Sequence, residues 1–224
     1  MSLILASASS ARRKLLENAY IAHHIAVSGL NEDDFNNPDP NILAELLAKA
    51  KAFSVSQKLK KGSFDTKKYS SDLAILGCDS IFVFRDQIYG KPNTQKAAID
   101  RLKSLSSSRG YLLTGHALYI RNNLPGKENY WNLFSSGVIS TEIHFTNPGD
   151  DEIQKYVLTN EPMKCAGGFS IDGKGAKFIK SIDGCYTNVL GLSLPWLYDT
   201  QKKSKIVFLK HINDKKKALT ESKG

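Results

Sequence analysis

The first nineteen residues constrain the fold of this chain more than any other segment. A short apolar run at residues 3–6 breaks into a stretch of small polar residues at 7–11. The spacing of apolar residues after that stretch predicts a helix over residues 12–19. This order of strand, loop and helix leaves unpaired backbone N–H groups at the helix N-terminus, where they can bind an anion.

The side chains of this loop carry donors that suit a phosphate group. Ser7 and Ser9 contribute hydroxyls, and the planar guanidinium of Arg12 can take two phosphate oxygens. A second interpretation fits the same residues equally well. Ser9 or Ser10 caps the helix, and Arg12 and Arg13 are solvated surface charges.

The remaining pattern alternates strand and helix signals, with a helix start at Asp39-Pro40. We predict strands at 25–28, 73–76, 81–84, 111–120 and 178–182, a strand pair ending near Phe145, and helices at 40–57, 94–105, from about 150, and at 188–198. The segments 73–76 and 81–84 are interpreted as two halves of a buried arm interrupted by residues 77–80. This order of strands and helices predicts an α/β fold: a mixed twisted sheet with flanking helices and two lobes around a central cleft.

Length and composition exclude several classes of protein. The chain has 224 residues and 41% hydrophobic content, which supports a genuine core. No apolar run approaches the roughly 20 residues that cross a bilayer, so we expect no membrane partner and a cytoplasmic location. The three cysteines have no zinc-like spacing, which favours reduced thiols.

The formal charge of +9 suits a polyanionic partner. Much of the excess lies in lysines of two segments, an exposed basic insertion at 58–72 and a basic C-terminal tail at 201–224. These charges are interpreted as solvated, and nucleic acid is not expected as a partner because no RNA-binding, zinc-finger or basic-zipper signature is present. We therefore predict a single domain over residues 1–200.

Four further charged residues are candidates for chemistry. Asp79 interrupts an apolar arm, where an ionised carboxylate needs a compensating cation or donors, although an exposed bend after Gly77 explains it as well. Lys91 lies on a stiff loop before Pro92, which suits a phosphate contact. Glu32 lies in an acidic loop and Lys51 inside a helix, and both are also explained as solvated surface charges.

These segments together resemble the Maf family of nucleotide pyrophosphatases. The matching stretches occur in the family's order: LILASASSARRKLL at 3–16, SGLNED at 28–33, LAKAKA at 47–52, GCDS at 77–80, GKP at 90–92, TGHALYI at 114–120, YVLTNEP at 156–162, AGGFSIDG at 166–173 and SIDGCYTNVLGLSL at 181–194. The resemblance implies hydrolysis of a nucleoside triphosphate to the monophosphate and pyrophosphate, removal of noncanonical nucleotides, and a homodimer.

The resemblance also implies roles for individual residues. Asp79 is the acidic group of catalysis, as proton acceptor or metal ligand, and Glu32 helps it to hold Mg²⁺ or Mn²⁺. Lys51 and Lys91 assist catalysis by neutralising phosphate charge. Ser7, Ser9 and Arg12 would then cradle the phosphates.

Four positions depart from the family pattern. Many members have Pro and Arg where this chain has Ser10 and Ala11. Arg13 is counted among the substrate-binding residues, but whether it substitutes for the missing arginine is open from the sequence. Asn31 precedes Glu32 where an aspartate is usual. Asp172 stands where relatives that prefer dTTP and UTP often have Gln, and it is either a base contact or a turn residue.

Two alternatives to catalysis remain open from the sequence. One is a regulator that binds nucleoside triphosphates without consuming them. The other is a nucleic-acid-binding, septum-associated protein that uses the basic insertion and tail.

Overall fold

The computed structural model describes residues 1–62, 72–122, 130–204 and 208. In this part of the chain, seven strands and six α-helices follow in order: β1 Ser2–Leu5, α1 Ser10–Asn18, β2 His23–Ile25, α2 Pro40–Lys60, β3 Leu73–Phe84, β4 Gln87–Tyr89, α3 Gln95–Leu105, β5 Arg109–Asn122, β6 Tyr130–Phe145, α4 Asp150–Val157, β7 Ile179–Asp183, α5 Tyr186–Val189 and α6 Leu194–Ser204. They form an α/β fold.

The strands make one mixed sheet in the order β2-β1-β3-β5-β6-β7, with β4 added to β3. β1 runs parallel to β2 and β3, and the pairs from β3 to β7 are antiparallel. One edge of β3 is covered by β1 at residues 73–76 and by β4 at 82–84. Among the described strands, none covers residues 77–81 on that edge, and this gap positions the functional site.

Side chains of β3 point alternately to the two faces of the sheet, so both faces carry apolar groups, and helices cover both. Leu76 and Cys78 pack with α1 and α6, whereas Ile75 packs with α2 on the opposite face. Further along the same strand, Phe82 and Phe84 belong to a separate apolar core with α3 and α4. The predicted mixed sheet with flanking helices is confirmed, and its two cores lie on either side of residues 79–80.

Two glycines let α2 lie directly against the sheet. A Cβ at Gly77 would stand 2.1 Å from the carbonyl oxygen of Ala48, and one at Gly115 would stand 2.0 Å from that of Ala44. Substitution of either glycine would therefore push the helix away. Because Lys51 follows Ala48 by almost one helical turn, this close approach places its side chain over the sheet.

The structure corrects several boundaries. β3 is continuous through residues 77–80, because Cys78 and Asp79 pair with His116 and Gly115 of β5. The predicted bend at Asp79 is therefore wrong. β2 ends at residue 25, where the predicted strand began. The predicted strand pair before Phe145 is the single strand β6.

The C-terminal part of the chain also differs from prediction. The predicted helix at 188–198 is two helices, because Gly191 adopts a φ of 99° between α5 and α6. α6 crosses the predicted boundary at residue 200, and Phe208 is buried in the core of α1 and α6. Other tail residues from 205 onward lie outside the described residues. Among the described residues, no helix is long and apolar enough to span a membrane.

The predicted basic insertion at 58–72 begins inside a helix. α2 continues to Lys60, three residues beyond its predicted end at 57. Residues 63–71 lie outside the described part of the chain. The cysteines Cys78, Cys165 and Cys185 are free thiols, as predicted.

His116 of β5 is a buried histidine that makes stability depend on pH. Its ring is fully buried, stacks on Trp196 at 4.8 Å between centroids, and accepts a hydrogen bond from the Ser193 N–H at 2.9 Å. Burial, assisted by the charge of Arg12, lowers the pKa of His116 to about 3. The folded protein therefore holds this ring neutral.

We expect this histidine to destabilise the fold as pH falls from 6.5 towards 3, because the unfolded chain binds a proton there that the folded chain does not. At pH 5 the free energy of unfolding loses about 2 kcal/mol from this group. Urea unfolding at pH 8 and pH 5 measures the loss, and His116→Phe should remove it. The other four histidines are unchanged in the variant, so equal losses in both proteins would contradict the assignment.

Candidate active site

A cavity of about 660 Å³ lies at the uncovered edge of β3. Its walls come from the loop after β1, the acidic loop before α2, residues 79–80 of β3, the loop after β4, residues 161–172 and residues 189–191. This volume is typical of a site for a small-molecule ligand. Segments that are distant in sequence therefore meet around one space.

Arg12 forms one wall of this cavity. Ser9 caps α1 by accepting from the Arg12 N–H, so the capping interpretation holds for Ser9. The guanidinium is buried, however, and donates to Gly191 O at 2.7 Å, Ser7 Oγ at 3.0 Å and Ser80 Oγ at 3.0 Å. Arg12 is therefore a held cation at a helix N-terminus and not a solvated surface charge.

Arg13 is placed differently from its neighbour. Its side chain is exposed, lies 3.6 Å from Glu17 and is absent from the described cavity lining. Consecutive residues of a helix point about 100° apart, which turns Arg13 away when Arg12 points inward. The structure does not bring Arg13 to the other candidate residues.

Lys51 joins the two candidate acids. Its Nζ lies 2.6 Å from Glu32 Oε1 and also contacts Asp79 Oδ1. The side chains of Lys51 and Asp79 are 10% and 9% exposed, whereas that of Glu32 is 50% exposed. Lys51 is thus a buried cation between a buried and a solvent-facing carboxylate.

This arrangement shifts the pKa values of the two acids in opposite directions. Burial raises the pKa of Asp79, although the nearby charges of Lys51 and Arg12 act against it. Burial acts in the same sense on Glu32, but the hydrogen bond and charge of Lys51 hold the pKa of Glu32 below its ordinary value. The same lysine thus lies between one carboxylate whose pKa is raised and one whose pKa is lowered.

The two acids also fit a divalent metal. They come from separate elements and contact the same ammonium nitrogen, so their carboxylates lie close together. Among the described residues, no group of three or more His, Cys, Asp or Glu forms an all-protein cage. Mg²⁺ commonly binds through one or two carboxylates, with water and substrate phosphate completing its coordination.

Lys91 reaches the cavity from the loop after β4. Its side chain is exposed and the residue lines the cavity. The preceding carbonyl, Gly90 O, accepts from Arg101 Nη1 at 2.6 Å and from the Gly167 N–H at 3.3 Å. Arg101 also lies over the Tyr89 ring, 4.8 Å from its centroid. Arg101 therefore braces the Lys91 loop, a role that the sequence did not indicate.

We expect Arg101→Lys to raise KM for a phosphorylated substrate about fivefold with little change in kcat, because the loop loses its planar donor but the charge is kept. Arg85→Lys is the matched control. Arg85 also lies over a ring, that of Phe84 at 4.7 Å, but outside the cavity lining. Equal KM values for the two variants would contradict the bracing role.

Glu161 organises the far wall. Its carboxylate accepts from Tyr156 Oη at 3.0 Å, from the Gly175 N–H at 2.9 Å and from the Lys174 N–H at 3.0 Å. These bonds hold the loop that carries Asp172, which lines the cavity and accepts from Ser170 Oγ. The only sequence signal for Glu161 was its place in the YVLTNEP stretch.

All of the candidate residues except Arg13 line the same cavity. They are Ser7, Ser9, Arg12, Glu32, Lys51, Asp79, Lys91 and Asp172. Ser80 also lines this cavity and contacts Arg12, although no role was predicted for it beyond its place in the GCDS stretch.

Comparison with known proteins identifies the family to which this chain belongs. The family model described as "Maf-like protein" matches residues 2–204. Proteins of two strains of Prochlorococcus marinus are 49% identical over 197 residues and 45% identical over 202 residues, covering 87% and 89% of this chain and 93% and 94% of theirs. One from Parasynechococcus marenigrum is 43% identical over 205 residues, covering 91% of this chain and 96% of its own. All three are named nucleoside triphosphate pyrophosphatase. The chain belongs to the Maf family.

Proposed function

We propose that this chain hydrolyses nucleoside triphosphates at the bond between the α and β phosphates, releasing the monophosphate and pyrophosphate. The observation that carries the proposal is one cavity that is lined both by Lys51 with its partners Glu32 and Asp79 and by the buried guanidinium of Arg12. The relatives named nucleoside triphosphate pyrophosphatase support it. Attack on a phosphorus between charged phosphates needs cations and a positioned water, and this cavity is lined by cations and by carboxylates that can orient a water molecule.

Asp79 is the proton acceptor in this proposal. Its Oδ1 contacts Lys51, and its second carboxylate oxygen can accept a proton from the attacking water. Burial raises its pKa, which makes it a stronger base than an ordinary aspartate once it is ionised. Lys51 holds Asp79 in place and, with Lys91 and Arg12, offsets the charge of the phosphates.

Ser7 and Ser9 complete the phosphate wall. Ser7 Oγ accepts from the Ser9 N–H at 3.2 Å and from Arg12, so its hydroxyl proton remains available to a phosphate oxygen. Ser10 and Ala11, the first residues of α1, also line the cavity, and the first N–H groups of a helix have no intrahelical partner.

Glu32 and Asp79 would hold Mg²⁺ or Mn²⁺ in this proposal. Such an ion supplies Lewis-acid neutralisation of phosphate charge when it is bound. Lys51 keeps the two carboxylates together at one point of the cavity.

The test is a panel of canonical and modified nucleoside triphosphates assayed for pyrophosphate, with Mg²⁺, with Mn²⁺ and with chelator. We expect release of pyrophosphate and monophosphate in equal amounts, and only with a divalent metal. Release of inorganic phosphate and a diphosphate would overturn the position of the cleavage. Binding without any release would support a nucleotide-binding regulator.

Asp172 is our candidate for base selection. A carboxylate only accepts hydrogen bonds, whereas the Gln of many dTTP- and UTP-preferring relatives also donates. We propose that Asp172 favours a base edge that presents N–H donors, in keeping with a role in removing noncanonical nucleotides. Asp172→Gln should shift kcat/KM towards dTTP and UTP, and an unchanged ranking of the panel would exclude this contact.

We also propose a homodimer and a cytoplasmic location. The family resemblance supports the first, and the three unpaired cysteines suit a reducing compartment. Sedimentation equilibrium tests the dimer, and fractionation of cells tests the location.

A further inference from the structure

A directed row of hydrogen bonds runs from Arg12 into the sheet. Arg12 Nη2 donates to Ser80 Oγ, which lies 3.0 Å from Thr114 Oγ1 on the neighbouring strand β5. Thr114 Oγ1 donates in turn to the carbonyl oxygen of Asn188 at 3.1 Å. Because this carbonyl can only accept, the Thr114 proton is committed to it. The Ser80 hydroxyl must then donate to Thr114, and its lone pairs face Arg12.

The carbonyl oxygen of Asn188 also accepts a hydrogen bond from Gly191, a second residue that contacts Arg12. Asn188 O accepts from the Gly191 N–H at 2.8 Å, and Gly191 O accepts from Arg12 Nε at 2.7 Å. A Cβ on Gly191 would stand 3.0 Å from Arg12 Nε, so the turn lies closely against the guanidinium. Thr114 thus contacts Ser80 directly and is linked to Gly191 through the carbonyl oxygen of Asn188, and both Ser80 and Gly191 contact Arg12.

Asn188 is itself held firmly. Its Nδ2 lies within hydrogen-bond distance of Leu112 O at 3.2 Å, Ile139 O at 3.0 Å and Thr141 Oγ1 at 3.1 Å, and its two N–H donors are shared among these three acceptors. Thr114 and Asn188 are both fully buried. Without the Thr141 hydroxyl, the two carbonyl oxygens can still accept both N–H donors, so the position of Asn188 does not depend on Thr141 alone.

The orientation of Arg12 matters because of the donors that remain. A guanidinium has five N–H groups, and the three bonds to Gly191, Ser7 and Ser80 use one on each nitrogen. One N–H stays on each terminal nitrogen, and both can donate to phosphate oxygens. A small rotation of the plane would disturb that geometry.

We propose that Thr114 is a positioning residue for the reaction: it orients the Ser80 hydroxyl and, through Asn188, the Gly191 turn, and so sets the plane of Arg12 for phosphate. This inference rests on the proposed binding of phosphate by Arg12. Thr114 itself acts through its neighbours and touches no reacting atom.

The experiment compares three variants of the full chain by KM and kcat for pyrophosphate release. Thr114→Val removes the hydroxyl at nearly constant volume, Thr114→Ser keeps it, and Thr141→Val removes an equally buried hydroxyl from the other side of Asn188. We expect Thr114→Val to raise KM about tenfold with kcat within about threefold, and Thr114→Ser to restore the wild-type KM. Thr141→Val should lose stability without raising KM.

A double-mutant cycle separates positioning from general loss of structure. In an Arg12→Lys background, Thr114→Val should raise KM by less than about twofold, because the group on which it acts is gone. Thr114→Ala removes the hydroxyl with less volume and takes the place of Thr114→Val if the latter does not fold.

The outcomes distinguish the inference from the proposed function. A large effect of Arg12→Lys with no effect of Thr114→Val overturns the inference and leaves the proposed function standing. Fully additive effects, or an equal KM increase in Thr141→Val, also overturn the inference. No effect of Arg12→Lys alone overturns the phosphate role of Arg12 and the inference with it.

Discussion

Asp79→Asn is expected to lower kcat for pyrophosphate release by about a thousandfold, the usual scale for loss of a general base, with a much smaller change in KM. The amide keeps the size of the carboxylate but cannot take the proton of the attacking water. Lys51 would still have Glu32 as a partner, 2.6 Å from its Nζ. Because Lys51 keeps this partner, its buried ammonium is not left uncompensated, and we expect the variant to stay folded.

The control for this prediction is Asp86→Asn in the exposed turn between β3 and β4. Asp86 adopts a φ of 58°, a conformation that asparagine tolerates well, and it is outside the cavity lining. Its kcat should match the wild type. Pyrophosphate release at equal rates by Asp79→Asn and the wild type, with both proteins melting normally, would remove Asp79 from catalysis.

The cavity wall formed by the loop after β1 and the start of α1 was the most predictable part of the site. Ser7, Ser9 and Arg12 lie within one local unit of strand, loop and helix, so their proximity follows from chain connectivity. The sequence still left the burial of Arg12 open. Its burial depends on Gly191, which is 179 residues away along the chain.

The acids and Lys51 show the opposite case. Each alone was compatible with a solvated surface charge, and only the resemblance favoured a shared site. Their convergence depends on α2 lying against the sheet, which requires Gly77 and Gly115 to face Ala48 and Ala44. Local composition gives no measure of such a contact between distant elements.

The same limit explains the errors in the elements. Gly77 and Asp79 lower strand propensity, so the pattern indicated a break, but pairing with β5 overrides that preference. The predicted final helix failed at Gly191 because a positive φ ends a helix whatever the apolar spacing around it. Arg101 and Thr114 were not predicted at all, because their partners become apparent only in three dimensions.

Arg12→Lys should reduce kcat/KM by about a hundredfold and lower the free energy of unfolding by about 2 to 3 kcal/mol. The guanidinium donates from three different nitrogens to Gly191, Ser7 and Ser80, and it is buried. A lysine ammonium is a single point and cannot meet three acceptors arranged around a plane. Kinetics of pyrophosphate release and urea unfolding measure the two effects.

Arg13→Lys is the matched control, because it makes the same substitution one residue later in the same helix. Arg13 is exposed and its ion pair with Glu17 belongs to a class that contributes little to stability, so we expect kcat/KM to change by less than about twofold. A large loss of activity in Arg13→Lys would show that this arginine reaches the substrate and replaces the one missing at Ala11. Equal, small effects in both variants would instead mean that the phosphates bind away from the N-terminus of α1.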